Sequence, residues 1–243
     1  MTSPLASLAK EPARTALESE APAVSRRSAP PHLGRVAGAL WFLMLAVFYG
    51  HALVSLLQDM PAGGVPFERW APALSRGCTT IFFVTLAWLM VARPAAVARR
   101  EGLVPLLISM VGTYGVWLVA FLPAAVLSPA MGMVSAAVTL TGSILIVFSI
   151  VCLGTSFSIA PQARALITHG PYRIVRHPLY AAEEIAIVGV AMNVAWWAAA
   201  PFLIVHIALQ LRRMSYEETL LRSVFPEYDA YAKRTARLIP GVW

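Results

Sequence analysis

Two polar blocks interrupt a largely apolar chain near its C-terminal end. The first reads L-I-T-H-G-P-Y-R-I-V-R-H-P-L-Y from Leu166 to Tyr180. The second reads R-R-M-S-Y-E-E-T-L-L from Arg212 to Leu221, followed by F-P-E-Y-D-A-Y from Phe225 to Tyr231 and L-I-P-G-V from Leu238 to Val242. These residue types suit a small charged molecule. The rings of Tyr172 and Tyr180 offer electron-rich faces to a cation. An ionised Glu217 only accepts hydrogen bonds and so suits an ammonium group. Arg213 is placed to share a helix face with Glu217, and its planar fork suits a carboxylate. Each also has a plainer reading. Arg173 and Arg176 fit juxtamembrane anchors, the tyrosines an interfacial belt, and His177 a satisfied histidine near the headgroups. Arg213 and Glu217 fit a surface ion pair worth little.

Composition says what must position these blocks. The chain has 243 residues, 58% hydrophobic and only 13% charged, against about a quarter charged in soluble domains. Its outside must face lipid, and the fold class expected is an all-α polytopic membrane bundle. Apolar runs predict spans at 36–58, 77–92, 103–127 and 131–153, with 59–76 a Pro- and Gly-rich loop. The apolar stretch from Leu179 to Leu211 overshoots one crossing, and Asn193 and Pro201 allow a bend. It reads as two further spans with a turn near Met192 to Trp196, six in all. A charged helix from Arg212 to Phe225 then ends at Pro226. If the hairpin folds back, both polar blocks meet at one surface.

The net charge is +7. Its arginines fall in the N-terminal tail, at Arg93 to Arg100, in the first polar block and after Arg212, while the other side of a six-span arrangement receives only Arg69 and Arg76. By the positive-inside rule both termini are cytoplasmic, and the basic balance belongs to a membrane surface rather than to nucleic acid. Residues 1–34 read as a disordered cytoplasmic tail, not a signal peptide. Residues 35–153 form a four-span region, and 154–243 carry the polar blocks. Cys78 and Cys152 lie in apolar runs without metal-ligand spacing, so no metal site is expected. His51 and His206 sit inside spans and read as partners in interhelical hydrogen bonds.

The order G-x-Y-x-x-x-R-H-P-x-Y, a helical hairpin, E-E, Y-x-x-Y and I-P resembles the isoprenylcysteine carboxyl methyltransferase family and its bacterial relatives, including phospholipid N-methyltransferases. Here it is carried by Gly170, Tyr172, Arg176, His177, Pro178 and Tyr180, then Glu217, Glu218, Tyr228, Tyr231, Ile239 and Pro240. The resemblance covers the C-terminal third. It implies an integral-membrane methyltransferase of a bacterial inner membrane, using S-adenosyl-L-methionine. It implies cofactor contacts at Leu166, Ile167, Tyr172, His177, Pro178, Leu179, Tyr180 and Glu217. It also implies catalytic roles for Arg213 and Glu217, with Arg213 holding the substrate. The acceptor would be hydrophobic or small, a prenylcysteine-like carboxylate among the candidates.

One departure opens an alternative. After Tyr180 comes A-A-E-E, where the methyltransferases carry small or apolar residues, and a buried carboxylate is costly unless paired or protonated. Steroid and sterol reductases, which bind NADPH, carry P-x-Y-x-x-E at this place. The E-E pair at Glu217 and Glu218 and the F-P-E-Y-x-x-Y ending fit the methyltransferases better. No soluble-methyltransferase G-x-G-x-G or Walker-type loop is present, and no broken-helix repeat suggests a transporter.

Overall fold

The computed structural model describes residues 24–25, 32–59 and 67–241. Most of the expected disordered tail lies outside these residues. The described part is mostly helical. Helix α1 is His32–Gln58, α2 Phe67–Ala92, α3 Leu103–Tyr114, α4 Pro129–Leu153, α5 Pro178–Ala191, α6 Trp196–Val224 and α7 Tyr228–Arg234. Among the described residues four stretches are long and apolar enough to cross a membrane: Gly34–Gln58, Pro72–Ala92, Leu103–Phe121 and Pro129–Ser156. Large apolar side chains such as Leu40, Val47, Phe48 and Val91 point outward from them, as lipid-facing surfaces require.

Boundaries differ from expectation in three places. Helix α2 starts at Phe67, so part of the predicted loop is helical. Pro72 lies inside α2, in its second turn, where it removes one intrahelical hydrogen bond. The third span is not α-helical throughout. Helix α3 passes into a 3-10 turn, Gly115–Phe121, and Leu122 is extended with ψ 151°, because Pro123 disfavours helical geometry before it. The apolar hairpin turns where expected, between Ala191 and Trp196. However, α5 has only 14 residues, or about 21 Å of rise against a core of about 30 Å. Helix α6 runs unbroken for 29 residues, joining the apolar arm to the charged segment without a break at Arg212.

Backbone hydrogen bonds close the hairpin end, from Ala125 N to Asn193 O (2.9 Å) and from Ala195 N to Pro123 O (2.8 Å). Helix α1 packs on α2, α2 on α4, α4 on α5, and α3 on α6. The α4–α5 contact is at backbone range. A Cβ on Gly142 would lie 2.4 Å from Ala186 N, and one on Gly189 would lie 2.5 Å from Thr139 N. Small residues let membrane helices approach this closely, and Ser135 Oγ donates across the gap to Gly189 O (2.8 Å). At the opposite end a short antiparallel sheet joins β1 (Val24–Ser25), β2 (Ala98–Arg100) and β3 (Gln162–Ala163). Ala98 and Ala163 are buried against Leu220 of α6, so the sheet ties the basic loop and the first polar block to the second.

Candidate active site

The first polar block is held in place from its ends. Gly170 opens a 3-10 turn with φ +58°, and a Cβ there would lie 2.9 Å from Cys152 Sγ, so both conformation and space call for glycine. The C-terminal tail then pairs with the block. Val175 bridges Ala236, Arg176 N donates to Ala236 O (2.8 Å), and His177 N donates to Arg237 O (3.2 Å). Tyr231 Oη donates to Tyr172 O (2.6 Å), and Tyr228 is fully buried beside Tyr231. Burial pushes the Tyr231 phenol up to about 12. The closing Y-x-x-Y is thus a brace that fixes the backbone of the block.

Glu218 is the charged centre of this brace. Its Oε1 accepts from Arg176 Nε (3.0 Å), meets His177 Nε2 at 3.1 Å, and lies 3.3 Å from Arg237 Nε. Burial pushes its carboxyl up, but His177 first, with Arg176 and Arg237, outweighs burial and holds it at about 2. Arg176, one plainer reading of which was a headgroup anchor, also donates to the carbonyls of Ala232 and Thr235.

Glu217 points the other way, into a cavity of about 350 Å³, within the roughly 300–1,000 Å³ common for small-molecule sites. Of the expected cofactor contacts, Leu166, Ile167, Tyr172, His177, Leu179, Tyr180 and Glu217 line it; Pro178 does not. Pro178 is buried at the first position of α5, where a missing N–H costs nothing. Arg213 also lines the cavity and is 4% exposed, which rules out the surface ion pair. Tyr180 links it to Glu217. The Tyr180 hydroxyl donates to Glu217 Oε1, and the Arg213 guanidinium stands 4.8 Å from the Tyr180 ring centre. One face of Tyr180 is therefore already covered by a cation. Among the described residues neither the buried Tyr172 hydroxyl nor Arg213 Nε has a hydrogen-bond partner. Burial, first of all, pushes the Tyr172 phenol well up, so it stays a donor.

The unusual A-A-E-E carboxylates both have partners. Gln210 Nε2 donates to Glu183 Oε2 (2.7 Å), and Arg213 Nη1 donates to Gln210 Oε1 (2.7 Å). Glu184 Oε1 meets His206 Nδ1 at 2.8 Å, the interhelical bond expected of His206. His51, by contrast, is exposed on α1. Two further contributors escaped the sequence reading. Gln210 sits between Glu183 and Arg213. Gly112 of α3 makes room for Arg213, since a Cβ there would lie 2.7 Å from Arg213 Cδ. An isolated glycine inside an apolar helix was the one available signal. Among the described residues no three His, Cys, Asp or Glu side chains are grouped to hold a metal ion.

Residues 127–228 match the phospholipid methyltransferase (PEMT) family, a match that takes in α4, the first polar block and the second as far as Tyr228. The nickel-cobalt-cadmium resistance protein NccN of Alcaligenes xylosoxydans xylosoxydans is 36% identical over 80 residues, 32% of this chain and 38% of that protein. The cobalt-zinc-cadmium resistance protein CzcN of Cupriavidus metallidurans is 36% identical over 76 residues, 31% of this chain and 35% of that protein. The similarity thus spans little more than a third of either relative.

Proposed function

We propose, from the match of residues 127–228 to the phospholipid methyltransferase family, that the chain is an integral-membrane enzyme moving a methyl group from S-adenosyl-L-methionine to a hydrophobic or small acceptor. The observation that carries the reading is the convergence of Tyr172, Tyr180, Glu217 and Arg213, from two distant segments, on one cavity. The residues fit the cofactor. The walls supplied by Leu166, Ile167 and Leu179 are apolar, Glu217 suits an ammonium group, and the unpartnered Tyr172 hydroxyl is a donor without an acceptor. Tyr172 and the free face of Tyr180 suit a sulfonium.

When bound, the cofactor supplies a methyl group attached to a positively charged sulfur. The chain's own task is to align the acceptor with that carbon and exclude water. Arg213, buried and with Nε unpartnered, suits an acceptor carboxylate, which is already deprotonated and needs no base. An amine or thiol acceptor would have to lose a proton. In this reading Arg213 and Glu217 are the catalytic pair, and His177 lines the cofactor's end of the cavity. Residues 1–34 are a cytoplasmic tail, 35–153 a four-span region and 154–243 the cofactor region. The α5–α6 hairpin completes six spans of a bacterial inner membrane, with both termini and the cavity mouth cytoplasmic.

Calorimetry on the detergent-solubilised full chain tests this. S-adenosylhomocysteine should bind and NADPH should not. Binding of NADPH alone would overturn the methyltransferase reading.

A further inference from the structure

A second cavity, of about 490 Å³, opens between the start of α1, the end of α2, α3 and residues 158–162. Trp41, Phe42, Met90 and Met110 give it an apolar wall, and Arg93 gives it a charge. Arg35, on the first turn of α1, and Arg164, just after β3, lie outside its lining but near enough to Arg93 for the three cations to repel one another. Arg164 is buried, yet every acceptor it meets is neutral: Pro94 O (3.1 Å), Phe157 O (3.3 Å), Ser158 Oγ (2.5 Å) and Gln162 Oε1 (2.7 Å). The Nε atoms of Arg35 and Arg93 are buried without partners. Among the described residues no carboxylate pairs with any of the three, and Glu101 is engaged by Arg99. Burial, then repulsion from Arg93 and Arg35, pushes Arg164 down to about 10. Gathering three uncompensated cations is costly unless an anion joins them.

We propose that this cavity binds the phosphate of an anionic membrane phospholipid, with Arg93 on the phosphate, Arg35 and Arg164 adding positive charge from beside the cavity, and an acyl chain along Trp41, Phe42, Met90 and Met110. Guanidinium forks match phosphate oxygens. A lipid is the occupant because Arg35 and Arg93 stand at adjoining ends of two apolar spans, Gly34–Gln58 and Pro72–Ala92, where headgroups lie. The site adjoins the reaction cavity: Phe42 and Tyr114 line both, and Arg164 lines the reaction cavity. Ser158, Ile159, Ala160 and Gln162 also line both, and Arg164 holds Ser158 and Gln162 of that shared wall. A bound headgroup would therefore steady one side of the reaction cavity. The assignment does not depend on the methyltransferase reading.

The test is quenching of Trp41 fluorescence in vesicles of phosphatidylcholine carrying brominated phosphatidylglycerol or brominated phosphatidylcholine, with Trp41→Phe giving the signal of the other tryptophans. Brominated phosphatidylglycerol should quench Trp41 at about a tenfold lower mole fraction, as expected for a few basic contacts at the surface. Arg93→Gln and Arg35→Gln should each reduce that preference severalfold, and Arg93→Lys should restore much of it. Arg99→Gln, exposed and outside the cavity, should leave it unchanged. Equal quenching by both lipids in the unaltered chain would overturn the proposal. So would an equal loss in Arg99→Gln, which marks diffuse surface charge. Abolition of the preference by millimolar inorganic phosphate would assign the site to free phosphate and overturn the lipid.

Discussion

At the residue scale, neighbours in sequence serve different ends. Glu217 faces the cavity with Tyr180, and Glu218 faces away into Arg176, His177 and Arg237. Arg213→Ala removes the buried cation beside Tyr180, so it should impair turnover or raise the Michaelis constant by about ten- to a hundredfold, the worth of roughly 1.5–3 kcal/mol, while S-adenosylhomocysteine binds nearly as before. Equal loss of cofactor affinity would move Arg213 into the cofactor site. Glu218 governs stability. Its carboxyl sits at about 2 when folded and near 4.3 in an unfolded chain, so the native state holds its proton more weakly. Its contribution, on the order of 3 kcal/mol, is full above pH about 4.3 and fades as pH falls toward 2. Thermal melts should show that acid slope, and Glu218→Gln should flatten it; an unchanged slope would discount the brace. The types and order of these residues were legible in sequence. The split between Glu217 and Glu218 was not, because which side each carboxylate faces depends on how the tail folds back, and the buried partners of Glu183 and Glu184 lie on another helix.

At the element scale, the site depends on how closely helices approach. The hairpin turn at Met192 could be read from Asn193 and the excess apolar length. The strands could not, since two- and three-residue segments carry no periodic pattern. Nor could the α4–α5 contact, because a glycine shows its use only once its neighbour is known. Gly142 and Gly189 permit backbone contact between α4 and α5, and α5 begins at His177 and Pro178, so their spacing sets the cavity wall. Gly142→Ala or Gly189→Ala must push the helices apart and should lower stability by about 1–3 kcal/mol, the usual effect of overpacking. Melting temperatures in detergent would check this. Gly132→Ala, at which a Cβ meets nothing within 4 Å, is the matched control and should be neutral; similar losses at all three positions would remove the packing account.

At the scale of the whole molecule, the question is on which side of the membrane the two polar blocks meet. Among the described residues four helices are long and apolar enough to cross, and in the proposed topology all four do, which returns the chain to its starting side after α4. The first polar block then lies with the N-terminus. The second block must be on that same side, since Glu218 pairs with Arg176 and His177. In that topology the α5–α6 hairpin enters and returns. The proposed cytoplasmic identity of that side rests on the arginines of these segments. In a background with Cys78 and Cys152 replaced by serine, a membrane-impermeant thiol reagent applied to intact cells should label Asp59→Cys, at the far end of α1. It should miss Ser223→Cys, exposed near the end of α6, until the membrane is opened. Labelling of position 223 from outside would overturn the cytoplasmic placement of the second block, and labelling of both positions from outside would undo the topology as well.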